Sequence, residues 1–417
     1  MRQLVQGLIA ILLLSLSSLS YAQCDGLIPD LRELADEGDM NLGFAVNNSD
    51  INNPDLLAIL LANGNMVVPA NALKFGPIHP ERDVYNFSSA DQIVALAQAN
   101  SMTVRGHTLV WHLQAPAWLD PTSGWLDLTP QWRERWTRDE LIEVMRDHIH
   151  TVVTHYRENF PGVITQWDVV NEAFRADGSR RPTIWQQVIG DDYIELALRF
   201  AREADPDVKL YLNEFYDSSV SLGEFALGRD PTYENSLGAS AVRSDCSDVP
   251  RCAAVRALAT DFVQRGVPID GIGFMGHHFI FNDDWPFPAD YESLAGWTKS
   301  LGLSWALTEV DVGLRANVVG TPEQERDQGL RFRKMVRACT RAENCDTVVF
   351  WALTDAVHWQ RDQGFWDGAT LIRDNGEPKP AYWNVYGTLY RAFLSSTTSV
   401  PDQGLSAIYN EASKPTK

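Results

Sequence analysis

Short runs of buried-type residues recur along the chain, with amphipathic segments between them. The apolar, β-rich runs are Leu42 to Val46, Met66 to Pro69, Thr103 to His107, Thr165 to Asn171, Lys209 to Asn213, Gly271 to His277, Trp305 to Glu309 and Thr347 to Trp351. Their length suits strands, and their weak polar alternation suits strands covered on both faces. The clearest helix between them spans Thr137 to Tyr156. Thr137 and Glu140 form a capping-box pattern, and Leu141, Met145, Ile149, Val152 and Tyr156 repeat at three- and four-residue spacing as one apolar stripe. His148 and His155 on this helix read as surface or helix-lining residues, not ligands.

Eight strand-helix units are what a closed parallel barrel requires, so the expected fold class is α/β, a single-domain (β/α)8 TIM barrel. Its strand ends share one face, where residues scattered through the sequence converge. The domain is expected over 23-394. Before it, Arg2, the apolar run Leu8 to Leu16 and the small-x-small Ser20-Tyr21-Ala22 read as a signal peptide, 1-22, with a retained anchor as the alternative. The mature protein is therefore expected to be secreted, extracellular or periplasmic. After the domain, 395-417 is rich in small and polar residues and reads as a flexible tail. Asp217 to Pro250, following the fifth run, is long and rich in Gly, Ser and Asp, and loops of that length are usually functional or disordered.

Five cysteines fit an exported chain. Cys246 and Cys252 share a spacing with Cys339 and Cys345, which suggests two short disulfide loops, and Cys24 is left over, to stay free, pair between chains or exchange partners. Metal binding by these cysteines is the weaker alternative, because their spacing is not of the zinc type. The formal net charge of −20 argues against nucleic acid or an anionic membrane as partner and favours a neutral substrate. Hydrophobic content of 45% is ordinary for a globular protein and provides for a sizeable core.

Two of the apolar runs lead into carboxylates: Trp167-Asp168-Val169-Val170-Asn171-Glu172 and Trp305-Ala306-Leu307-Thr308-Glu309-Val310-Asp311. Retaining glycoside hydrolysis needs two such groups, one protonated to donate to the leaving oxygen and one to attack the anomeric carbon, roughly 5–5.5 Å apart. Glu172 is the expected acid/base and Glu309 the expected nucleophile, with Asn171 offering an amide to a sugar hydroxyl. The competing reading is a pair of structural ion-paired carboxylates. The double-displacement chemistry calls for no cofactor and no metal, and no EF-hand spacing or nucleotide-binding glycine loop is present.

With these residues assembled, the chain resembles the endo-β-1,4-xylanases of glycoside hydrolase family 10 from about Leu31 to Phe393. The likeness rests on Arg105-Gly106-His107-Thr108-Leu109-Val110-Trp111-His112, Asn171-Glu172, Gly271-Ile272-Gly273 with His277, Thr308-Glu309-Val310-Asp311, and Pro378-Lys379-Pro380-Ala381-Tyr382-Trp383. It implies a secreted hydrolase that cleaves β-1,4-xylosidic bonds in xylan by double displacement, acting as a monomer on a polysaccharide or oligosaccharide. The resemblance also implies that His277 hydrogen-bonds the nucleophile and that Asp311 orients His277. Lys74, His107, Trp111, Asn171 and Trp351 would surround the sugar on the non-reducing side, with Asn71 and Gln114 one sugar further out and Trp359 as an aromatic wall. The Cys339/Cys345 pair matches a disulfide common in that family.

The chain departs from the family pattern at Ala70, where Glu is usual, at Met275, where Gln is usual, and at Phe75, where Trp is usual. Asn213-Glu214-Phe215-Tyr216 also stands where Asn-Asp-Tyr-Asn is usual. These changes are expected to remove hydrogen-bonding groups from the sugar-binding walls while sparing the carboxylates, which leaves another β-linked glycan or substituted glycoside as the alternative substrate. A sugar-binding protein on a dead scaffold is a further reading, disfavoured because both glutamates are present.

Overall fold

The structure, a computed structural model, describes residues 30–122, 133–216, 249–279, 289–315, 320–362 and 366–394. The expected signal peptide, the tail 395-417, Cys24, Cys246 and most of the segment after the fifth strand lie outside the described residues.

Eight parallel strands form the barrel: β1 Asn41–Val46, β2 Met66–Pro69, β3 Thr103–Val110, β4 Ile164–Asn171, β5 Lys209–Glu214, β6 Gly271–Phe279, β7 Ser304–Arg315 and β8 Cys345–Phe350. Each pairs with the next in sequence, and the sheet closes through β1 and β8, with Leu42 opposite Val348 and Phe44 opposite Phe350. The expected (β/α)8 TIM barrel is therefore present. β2 is buried at every position and β1 at all but its first, which explains their unbroken apolar reading. Phe44, Leu42, Val348 and Phe350 join the core shared with the surrounding helices, while Ala45, Met66, Val68 and Val349 form a second, small apolar cluster.

Two strands run longer than their apolar runs suggest. β3 continues to Val110, and β7 passes Glu309 to Arg315, where Trp366–Asp367 (β9) pairs with it antiparallel. Polar site residues break the apolar pattern there, but backbone pairing does not need apolar side chains. The helix expected from Thr137 begins at Arg138 and ends at Asn159, with Thr137 as N-cap and the capping box formed. All five residues of its expected stripe are buried, and so is His148. His148 stacks on Phe75 with ring centroids 3.7 Å apart, so it is a core residue, contrary to a surface placement. His155 bonds Asp91 at 2.9 Å. The Cys339–Cys345 disulfide is formed, with Cα atoms 5.1 Å apart, and Cys252 is disulfide-bonded too.

Candidate active site

β4 ends at Asn171, so Glu172 is the first residue of the connection leaving the barrel. Glu309 sits inside β7 at an irregularity, because register shifts fall between Leu307 and Val310 against β8 and between Met275 and His277 on β6. Both glutamates have positive φ, 52° and 55°. Non-glycine residues rarely adopt that region, and such conformations persist only where surrounding contacts impose them.

The contacts around Glu309 are specific. Its Oε1 accepts from Asn213 Nδ2 at 2.7 Å, and its Oε2 lies 3.1 Å from His277 Nε2. His277 Nδ1 lies 2.8 Å from Asp311 Oδ2, and His358 Nε2 approaches the same oxygen at 3.0 Å. With carboxylates at both ring nitrogens, His277 holds two protons. Burial opposes its charge, but Asp311 and Glu309 override burial and raise its pKa to about 10. Burial likewise opposes charge on Glu309 and Asp311; hydrogen bonding and charge from His277 prevail, with His107 assisting at Glu309 and His358 at Asp311, and both carboxyls stay well ionised.

Asn213 joins this side of the site to Glu172. Its Nδ2 also donates to Asn171 Oδ1 at 2.8 Å, its Oδ1 accepts from Thr308 Oγ1 at 2.6 Å, and its backbone oxygen accepts the Glu172 N–H at 3.0 Å. His112 Nε2 and Arg181 Nη2 each lie 3.9 Å from Glu172 Oε2, and burial together with the Arg181 charge keeps His112 neutral.

Lys74 faces both carboxylates. Burial lowers its pKa to about 8 while Glu309 and Glu172 pull upward. Its Nζ donates to Asn71 Oδ1 at 3.1 Å and sits 4.7 Å over the Trp111 ring. Gln114 Nε2 donates to the same Asn71 oxygen at 3.1 Å, and Asn71 Nδ2 donates to Asn47 at 2.9 Å, so an amide chain runs outward from Lys74 to an exposed rim. Trp351 stands between two imidazoles, 5.1 Å from His107 and 6.3 Å from His277, and Trp359 lies 5.7 Å from His277. The indole N–H groups of Trp111 and Trp359 have no acceptor among the described residues. All twelve residues singled out from the sequence thus belong to one connected constellation, with aromatic faces, amides and charges of the kind that sugar C–H faces and hydroxyls require.

Beneath it lies a polar layer given no role from the sequence. Asp168 bonds His107 Nδ1 at 3.0 Å and is bridged by Arg105, whose guanidinium lies 4.4 Å over Tyr211 and also reaches Gln166. Burial works against the Asp168 charge, yet Arg105 and His107 keep it ionised. A charged residue inside the apolar run Trp167 to Val170 was the available signal. His358 had none.

The departures fall unevenly. Phe75 is buried in a ring pile with His148, His79, Trp118 and Trp185, so it is not a wall of the cleft. Glu214 is fully buried beside Arg181 and Arg251, and Met275 is buried on β6 opposite Thr308. Ala70 is partly exposed at the end of β2.

The family model described as Glycosyl hydrolase family 10 matches residues 30–222 and 245–388. Endo-1,4-beta-xylanase B of Thermotoga neapolitana is 32% identical over 390 residues, spanning 91% of this chain and 97% of that protein. Among solved structures, native xylanase 10B of Thermotoga maritima superposes with a TM-score of 0.70 at 31% identity, covering 87% of this chain and 99% of that one. Xylanase 10B of Thermotoga petrophila RKU-1 in complex with xylobiose matches with a TM-score of 0.70 at 30% identity, over 87% and 98% of the two chains.

Proposed function

This chain belongs to glycoside hydrolase family 10, and on that premise we propose that it is an exported endo-β-1,4-xylanase that cleaves internal bonds of xylan with retention. Glu309 attacks the anomeric carbon. Its Oε1 and Oε2 are held by Asn213 and His277, which keep it ionised and aimed. Glu172 gives its proton to the departing sugar oxygen, then takes one from the water that releases the glycosyl-enzyme. Lys74 places a positive charge toward both carboxylates, and the Asn71–Gln114 chain with Trp111, Trp351 and Trp359 supplies the donors, acceptors and faces that hold sugars.

The observation that carries this reading is the Asn213 amide, which spans Asn171 and Glu309 and so ties the end of β4 to the irregularity in β7. The likeness to xylanases over nearly the whole chain supports xylan as the substrate. Ala70 and Met275 favour a second reading, a hydrolase tuned to a substituted or different β-linked glycan. Product analysis on linear xylan, substituted xylans and β-glucans separates the two, with NMR of the first-formed anomer reporting stereochemistry. Short xylo-oligosaccharides released as the β-anomer are expected. Release from no xylan, or an α-anomer formed first, would overturn the proposal.

A further inference from the structure

Beside Glu172 lies a group of buried charges that the double displacement does not itself consume. Arg181 donates through Nε to the Glu172 carbonyl oxygen at 2.9 Å and through Nη2 to that of Phe174 at 3.2 Å, and the same Nη2 stands 3.9 Å from Glu172 Oε2. Glu214, the last residue of β5, accepts from the backbone N–H groups of Phe174 at 2.9 Å and Phe215 at 3.0 Å. Arg251 is fully buried 5.1 Å over the Phe215 ring. Burial disfavours charge on Glu214, and Arg251 and Arg181 counter it.

Glu172 is therefore held at both ends of its positive-φ backbone, by β5 at its N–H and by Arg181 at its carbonyl oxygen. A guanidinium so near a proton donor has a cost, since a positive charge favours the carboxylate and strips the proton the acid must deliver. We propose that Glu214, clamped between Arg181 and Arg251, is a positioning residue that offsets this charge, so that Arg181 can fix the acid/base backbone without discharging the acid. The inference rests on the assignment of Glu172 as acid/base. The other charged or titratable groups facing Glu172 are His112, held neutral, and Lys74, shared with Glu309, and both are left untouched in the test.

The test is the pH dependence of kcat/KM on an unactivated xylo-oligosaccharide, whose alkaline limb reports the essential acid. Glu214→Gln removes a negative charge, so Glu172 loses its proton more readily and the limb moves to lower pH by about one unit. Arg181→Gln removes a positive charge and moves it to higher pH. Glu214→Asp keeps the charge and returns the limb to its original place. Limbs that stay fixed, or that move in the same direction for Glu214→Gln and Arg181→Gln while kcat falls, overturn the proposal. If Glu214→Gln does not fold, Arg181→Gln decides: an unmoved or lowered limb is fatal. Glu172→Ala separates this from the underlying assignment. An equal loss on the oligosaccharide and on an activated aryl glycoside overturns the acid role itself, whereas a selective loss with static limbs overturns only the network.

Discussion

The amide of Asn213 makes its hydrogen bonds to Asn171, Glu309 and Thr308, so neither its nitrogen nor its oxygen can swap without leaving a buried group unpaired. Around that fixed point the two glutamates are expected to fail differently. Glu309→Ala should lower turnover by about a thousandfold or more on every substrate while oligosaccharide binding by calorimetry persists, because only the attacking group is lost. Glu172→Ala should cost about 10²–10⁴ on xylan, whose leaving group needs a proton, and much less in the first step on activated aryl glycosides. Comparable rates for Glu309→Ala and the parent would exclude its role as nucleophile. His277 has a pH signature. Its folded pKa of about 10 lies above the ordinary 6.5, so its stabilisation is complete below about pH 6.5 and is lost as pH rises through about 10. Asp311→Asn should lower stability at pH 7 by about 3 kcal/mol or more and flatten the decline between pH 7 and 10, measured as urea midpoints. An equally steep decline in the variant would contradict the pairing. The carboxylates were legible in the sequence because each follows an apolar run. Asn213 and His358 were not, since a lone amide or imidazole reads the same whether it anchors a nucleophile or merely fills a core.

Strand existence was legible for a plain reason: strands covered on both faces must be apolar nearly throughout, and β1 and β2 are. Strand ends were not, because site residues interrupt the pattern where pairing continues, as in β7 beyond Glu309. Phe75 shows a second limit. Its neighbour Lys74 faces the carboxylates, but Phe75 is buried against His148 of the helix Arg138–Asn159, and a linear pattern does not say which of two adjacent residues turns inward. Close packing between adjacent strands is testable at Gly106 on β3, which lies in register with the buried Trp167 on β4. A Cβ at that position would fall inside the indole. Gly106→Ala should therefore destabilise by about 1–3 kcal/mol, read from the denaturant midpoint, and displacement of Trp167 should change its fluorescence. A neutral substitution would mean the two strands are packed less tightly than described.

For the whole molecule, the reading of an exported enzyme predicts a mature chain beginning at Gln23. Mass spectrometry of the protein recovered outside the cytoplasm checks this, and a chain still carrying Arg2 and held in a membrane fraction would refute it. Closure of the barrel along the seam between residues 41–44 and 347–350 has its own effect on how the enzyme comes into being. Contacts so distant in sequence form late, since the intervening loop must first be gathered in. During synthesis and export the first strand therefore waits for the last, and both glutamates have been made well before the cylinder that holds them can shut. The nascent polypeptide has no complete sugar groove until its final barrel strand arrives, so catalytic competence appears in one step at the end of assembly.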